Sequence, residues 1–235
     1  MKYIIDSLFP RRSLHLCAGA SGAGKTILLL ETMTRWSRGE PVFGHASHPE
    51  PWLYVSGDRS AEDVQRKIAS LGIASRDVPF LPAYATGKPT MDWEKIFNQI
   101  LDTKSRVVVW EGFGRYVADN AGGRIIDAWL EQITCQIQKN DITLIGVVEQ
   151  PKMKPRDKYP IPRQRISGPA AWGHHTSTVV LVEFKNEKQA SDPRRIVHII
   201  VQDGGAPLEF DATLVDGHFR LLNPHNPHFP DLSCI

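Results

Sequence analysis

The chain has 235 residues, 41% hydrophobic and 23% charged, with 28 Lys and Arg against 26 Asp and Glu for a formal net charge of +2. That length suits one α/β domain with a buried sheet and is large for a lone sandwich, while so small a net charge does not by itself imply a polyanionic partner. No apolar run approaches the ~20 residues of a membrane helix, no secretory leader is recognisable, and Cys17, Cys135 and Cys234 are too widely spaced for a zinc site or a disulfide framework. The expectation is a cytoplasmic protein with no membrane partner and reduced, buried cysteines.

The first predicted strand, 14–18, runs into Gly19-Ala20-Ser21-Gly22-Ala23-Gly24-Lys25-Thr26 and then a helical pattern over 27–38. Strand, glycine-rich loop and helix stand in the order a phosphate-binding loop requires. The glycines let successive backbone N–H groups turn inward around a β-phosphate, and the helix start adds its positive dipole end. Lys25 is expected to neutralise the β- and γ-phosphates and Thr26 to place its hydroxyl on Mg²⁺, so ATP and Mg²⁺ are the expected cofactors.

A Pro- and His-rich connection leads to an apolar strand at 52–55 that ends in Ser56-Gly57-Asp58. Ser60 caps the next predicted helix, with Val64, Ile68 and Leu71 at helical spacing and Gly72 as its stop. Another helix follows Asp92 and puts Trp93, Ile96, Phe97, Ile100 and Leu101 on one face. A strand at 107–110 ends in Glu111, a helix carries Ile126, Trp129, Leu130, Ile133 and Ile137, and a strand at 142–148 ends in Glu149-Gln150. This β-α repetition predicts right-handed crossovers and a mostly parallel β-sheet flanked by helices. The runs at 178–182 and 196–201 have no long helix between them and are expected to pair antiparallel at the C-terminal edge of the sheet. We assign 1–222 to the domain and 223–235, alternating Pro, His and Asn, to an irregular tail.

In an open parallel sheet, ligands sit beyond the carboxyl ends of the strands. Asp58, Glu111 and Gln150 are therefore expected to face the nucleotide held by Lys25 and Thr26. Glu111 is placed to orient the Mg²⁺ shell, and Asp58 to orient or deprotonate the attacking water. Gln150, or its neighbour Glu149, is placed to sense the γ-phosphate. Directly afterwards, Lys152, Lys154, Arg156, Lys158, Arg163 and Arg165 stand against one acid, Asp157, in a proline-stiffened stretch with Tyr159. Read as a solvated linker it does nothing. Read as a loop it offers phosphate contacts and one stacking ring to single-stranded DNA, without base readout.

Four pieces together resemble the RecA-like P-loop ATPase superfamily, and within it the RepA-type hexameric replicative helicases and related phage and plasmid ATPases. These are the loop at 19–26, the strand ending in Asp58, the strand ending in Glu111, and Arg165-Ile166-Ser167-Gly168-Pro169-Ala170-Ala171-Trp172. The last looks like the Arg-Gly-Ser-x-Ala element that in the family follows the first DNA-binding loop. The resemblance implies a RecA-like sheet and a homo-oligomeric ring, a hexamer, with ATP at subunit boundaries and a basic finger supplied by a neighbour. This chain departs from the pattern: Glu111 stands where Asp is usual, the acids after the second strand are thinned to Ser56-Gly57-Asp58-Arg59, and no basic residue ends the strand at 196–201. Arg194 and Arg195, just before it, are the nearest substitutes for the finger, and no extra domain that would recruit a primase or loader is recognisable. The expected activity is an ATPase that translocates on single-stranded DNA, as a helicase in DNA replication does. A recombinase or strand-annealing ATPase coating single strands, and a nucleotide-gated binding protein of negligible turnover, are the alternatives.

Overall fold

The computed structural model describes residues 2–85, 88–89, 93–116, 123–149, 171–186, 191–202 and 208–222. In chain order the elements are β1 (Tyr3–Ile5), β2 (Phe9–Pro10), β3 (Leu14–Gly19), α1 (Lys25–Ser37), β4 (Trp52–Ser56), α2 (Ala61–Ser70), β5 (Phe80–Pro82), β6 (Tyr84–Ala85), β7 (Lys88–Pro89) and α3 (Trp93–Asp102). There follow β8 (Val107–Glu111), α4 (Gly123–Asn140), β9 (Thr143–Glu149), α5 (Ala171–His175), β10 (Thr176–Phe184), β11 (Arg194–Val201), β12 (Leu208–Val215) and β13 (His218–Leu221).

Among the described residues the main sheet has nine strands in the order β13-β12-β11-β10-β3-β9-β8-β4-β5. From β5 to β10 every neighbouring pair is parallel, and from β10 to β13 every pair is antiparallel. This is the expected RecA-like arrangement, with β3 and its phosphate-binding loop at the centre.

Side chains alternate across a strand, and here the alternation sorts the core into two layers. Cys17, Trp52, Tyr54, Val107, Val109, Ile145 and Val147 pack on the face that carries α1 and α2. Leu14, Leu16, Ala18, Leu53, Val55, Val108, Trp110, Leu144 and Val148 pack on the opposite face, with Ile96, Phe97 and Ile100 of α3 and Trp129, Leu130 and Ile133 of α4. Each fully buried Val, Leu, Ile or Phe among them contributes about 1.5–3 kcal/mol of burial. On the second face, Gly146 leaves room for Phe113, whose Cδ1 would lie 2.4 Å from an added Cβ.

Ser60 caps α2 as expected, its hydroxyl accepting from the Asp63 amide. Helix α1 starts at Lys25, two residues before the apolar periodicity does, because Gly24 in a left-handed conformation (φ 102°) ends the loop there. Short strands went unread. β5 ends in Pro82, which lacks the N–H for a ladder and is tolerated at this edge of the sheet. Strands β12 and β13 extend the antiparallel edge beyond the two runs expected there. They are joined through Asp216 (φ 52°) and Gly217 (φ 83°), a two-residue hairpin turn with both central residues left-handed. The tail at 223–235 lies outside the described residues.

Candidate nucleotide-binding site

Strand parity places the chemistry. One pleat beyond Tyr54, Val109 and Val147 on the α1 face come Ser56, Glu111 and Glu149, at the carboxyl ends of β4, β8 and β9. These three strands are neighbours, and Glu149 stands in register with Gly19. The polar ends therefore converge on the loop and the start of α1.

The loop is shaped by close approach. An added Cβ at Gly19 would lie 2.4 Å from the Val182 carbonyl oxygen of β10, and one at Gly24 would lie 2.5 Å from the Phe219 ring of β13. Lys25 is 9% exposed and donates to the carbonyls of Gly19 (2.8 Å) and Ala20 (3.0 Å). Burial pushes its pKa down, against the pull of Cys17 and of the carboxylates of Glu149, Glu111 and Asp58.

Glu111 is 2% exposed and engaged at both oxygens. The Thr26 hydroxyl donates to Oε1, the Tyr54 hydroxyl donates to Oε2 at 2.5 Å, and Arg59 Nε lies 3.4 Å from Oε1. Burial first, and then the charge of Glu111, raises the Tyr54 phenol well above its usual range. Asp58 sits beside this cluster, packed so closely on Gly112 (φ 73°) that a Cβ there would lie 2.9 Å from its own. Its Oδ1 is buried without a hydrogen-bond partner, and Arg115 lies 4.0 Å from Oδ2. Burial and the charge of Glu111 push the Asp58 carboxyl up to about 6, against the pull of Arg115 and Arg59.

Lys25, Thr26, Asp58 and Glu111 are thus brought together. Arg195, the other residue expected as a finger, is 4% exposed, donates through Nε to the Ala23 carbonyl at 3.1 Å and through Nη1 to the carbonyls of Asp192 and Arg194, and lies 4.3 Å from the centroid of the Phe184 ring. Within its own chain the guanidinium lies behind the loop. Arg194, with its side chain 56% exposed, pairs with Asp192 at 2.7 Å. Gln150 and the cations Lys152, Lys154, Arg156, Lys158, Arg163 and Arg165 lie outside the described residues. Tyr54, Arg59, Arg115 and Phe219 were not singled out from sequence. Parity along β4 was the available signal for Tyr54, whereas Phe219 reaches the loop from almost two hundred residues away.

The residues fit ATP with Mg²⁺. The Lys25 ammonium is held by loop carbonyls that a phosphate can replace, and a threonine hydroxyl beside a buried carboxylate is the hard-oxygen donor set Mg²⁺ takes alongside substrate phosphates. Among the described residues no cluster of three or more His, Cys, Asp and Glu side chains could hold a metal alone. No described helix is long and apolar enough to cross a membrane.

Fold and site together define a P-loop ATPase of RecA-like architecture. A family model described as AAA domain matches residues 1–147, more than half of the 235-residue chain, and the chain belongs to that family. Among solved structures, the KaiC-like protein of the hyperthermophilic archaeon Pyrococcus horikoshii OT3 matches at 14% identity over 94% of each chain, with a TM-score of 0.66. At that identity the likeness is one of fold. No curated protein matches the chain. An ATPase of this family uses ATP and usually Mg²⁺.

Proposed function

We propose that the chain is an ATP-hydrolysing motor that assembles into a ring and translocates on single-stranded DNA, in the manner of RepA-type replicative helicases. The observation that carries the ATPase part is the convergence of Lys25, Thr26, Glu111 and Asp58 on one edge of the sheet. Bound Mg²⁺ supplies charge neutralisation at the phosphate oxygens. Thr26 and Glu111 would hold it, Lys25 would neutralise the β- and γ-phosphates, and Asp58 would take the proton of the attacking water at its carboxylate.

The DNA part is supported by position and composition. The chain leaves β9 at Glu149, beside Gly19, and its next residues include six cations between 152 and 165. Cations that follow so closely in sequence on a strand ending beside the loop are suited to couple nucleotide state to a polyanion. Arg194 remains the candidate for a finger in trans. The thinned acids after β4, Ser56-Gly57-Asp58-Arg59, favour as a second reading a nucleotide-gated binding protein of negligible turnover.

ATP hydrolysis measured with and without single-stranded DNA separates the two readings, with Lys25→Ala as the inactive control. The motor reading expects DNA stimulation, a ring by size measurement with a non-hydrolysable ATP analogue, and DNA affinity falling with salt at a slope of roughly −0.7 per contacted phosphate. Replacing Lys154, Arg156 and Lys158 by Ala should flatten that slope and remove the stimulation while leaving DNA-free turnover in place. Turnover that ignores DNA, with a monomer in all conditions, overturns the motor.

A further inference from the structure

Glu111 carries its carboxylate on a two-carbon stem, and the buried Tyr54 hydroxyl is the core group that holds one of its oxygens. We propose that Tyr54 is a positioning residue for metal binding: its buried hydroxyl fixes the Glu111 carboxylate so that Oε1 faces Thr26 and the loop. The inference rests on the nucleotide-site reading above and deepens it.

Strands β4 and β8 are parallel neighbours with Tyr54 opposite Val109 and Ser56 opposite Glu111. Tyr54 is therefore one pleat behind Glu111 on the same face, and its ring spans that step. An aspartate carboxylate at 111 would sit closer to the backbone by about one C–C bond, ~1.5 Å. Glutamate has one more rotatable bond, so its carboxylate needs a partner to fix its direction. Tyr54 is 1% exposed and Glu111 2% exposed, and the hydroxyl meets Oε2 at 2.5 Å.

The division of labour between the two oxygens follows. Oε2 is held from the core, and Oε1 is left to Thr26 and, at 3.4 Å, to Arg59. Were Thr26 to serve as a metal ligand instead of donating to Oε1, the Tyr54 hydroxyl would still anchor the carboxylate. Arg59, with half of its side chain exposed, can swing away without releasing Glu111. Partners of this kind, which orient a ligating group without touching the metal, typically change metal affinity or activity about 10–100-fold when removed.

The test is ATP binding by calorimetry, in excess EDTA and over a Mg²⁺ titration, for wild type, Tyr54→Phe, Glu111→Asp and the double variant. We expect Tyr54→Phe to raise the Mg²⁺ concentration for half-saturation about tenfold or more, with the affinity in EDTA unchanged. A general loss of packing would weaken both. Glu111→Asp, which withdraws the carboxylate from the phenol, should show the same Mg²⁺ defect, and adding Tyr54→Phe to it should make nothing worse. Glu111→Asp also carries the test if Tyr54→Phe does not fold. Wild-type Mg²⁺ dependence in either single variant, or defects that multiply in the double, overturns the role of Tyr54 while leaving the site in place. Failure of the wild type to bind ATP in either condition overturns the site itself, and this inference with it.

Discussion

The phosphate-binding loop stands between two unlike walls. On the β10–β13 side it is held by the Val182 carbonyl, the Arg195 guanidinium, Leu214 and the Phe219 ring, and Glu31 of α1 closes the contact by accepting from the Phe219 amide at 3.0 Å and pairing with His218 at 2.8 Å. On the β8–β4 side stand Glu111, Asp58, Arg59 and Arg115, with an unpartnered Asp58 oxygen and two half-exposed arginines. The first wall fixes shape through close packing and internally satisfied hydrogen bonds. The second keeps charged groups incompletely paired, which costs stability and leaves them able to act on a ligand. The contrast teaches that one wall should respond to changes in volume and the other to changes in charge.

The largest effect is expected from Gly19→Ala. Its methyl group would meet the backbone of β10, which cannot turn aside as a flexible side chain can. We expect nucleotide binding to be lost and stability to fall by about 1–3 kcal/mol, the usual cost of overpacking. ATP calorimetry and urea denaturation check both. Near-normal binding would show that the β10 wall yields and does not set the loop's shape.

Asp58→Asn tests the other wall at constant volume. It should retain ATP binding and lose about 10²-fold or more in turnover, the scale of general-base removal. In the wild type, kcat/KM should fall as the pH drops below about 6, where Asp58 takes up a proton, and the variant's residual activity should lack that limb. A pH profile shared by both proteins would remove Asp58 from the chemistry.

Arg195→Met decides between the walls. If Arg195 supports its own loop, the variant should lose about 1.5–3 kcal/mol, as expected for charge-assisted hydrogen bonds, with weaker ATP binding. Mixing it with Lys25→Ala protein should then restore no activity, because each Arg195 serves its own chain. Rescue in mixed rings would return Arg195 to the finger.

The parallel half of this molecule was far more legible than the loop's support. Buried parallel strands read as apolar runs, and two of their expected polar ends, Asp58 and Glu111, lie beside the phosphate-binding loop, while Gln150 lies outside the described residues. Strand β12 did carry a signal, since Leu208, Phe210, Ala212 and Leu214 alternate with Glu209, Asp211 and Thr213, and Asp216-Gly217 marks the turn that follows. That signal lay beyond the runs expected to close the sheet. The surroundings of Arg195 were illegible for a different reason. A basic residue before a strand looks the same whether it faces solvent or its own loop, and only register with β10 and β12 decides. Tyr54 read as core, and it is core along its ring; only the hydroxyl belongs to the site.

The smallest expected effect is also the one that tests most directly whether the charged wall costs stability. The Asp58 carboxyl, about 6 in the folded chain against an ordinary 3.8, binds its proton more tightly folded than unfolded. Its contribution to stability is therefore fully present below about pH 4 and is lost as the pH rises through about 6. Asparagine never acquires the charge, so Asp58→Asn should gain on the wild type across this range and hold a constant lead above it. The lead should be about 1 kcal/mol, since Asp58 borders solvent and two arginines that screen much of the penalty. His15 acts in the opposite sense: buried, donating to the Pro10 carbonyl at 2.9 Å and pushed down to about 4, it costs stability as the pH falls from 6.5. Wild-type stability alone therefore mixes the two, and the quantity to measure is the difference between variant and wild type in urea at several pH values. A difference that stays flat, or an asparagine variant that is less stable at neutral pH, would mean that Arg59 and Arg115 already offset the burial of Asp58 and that the charged wall is not strained.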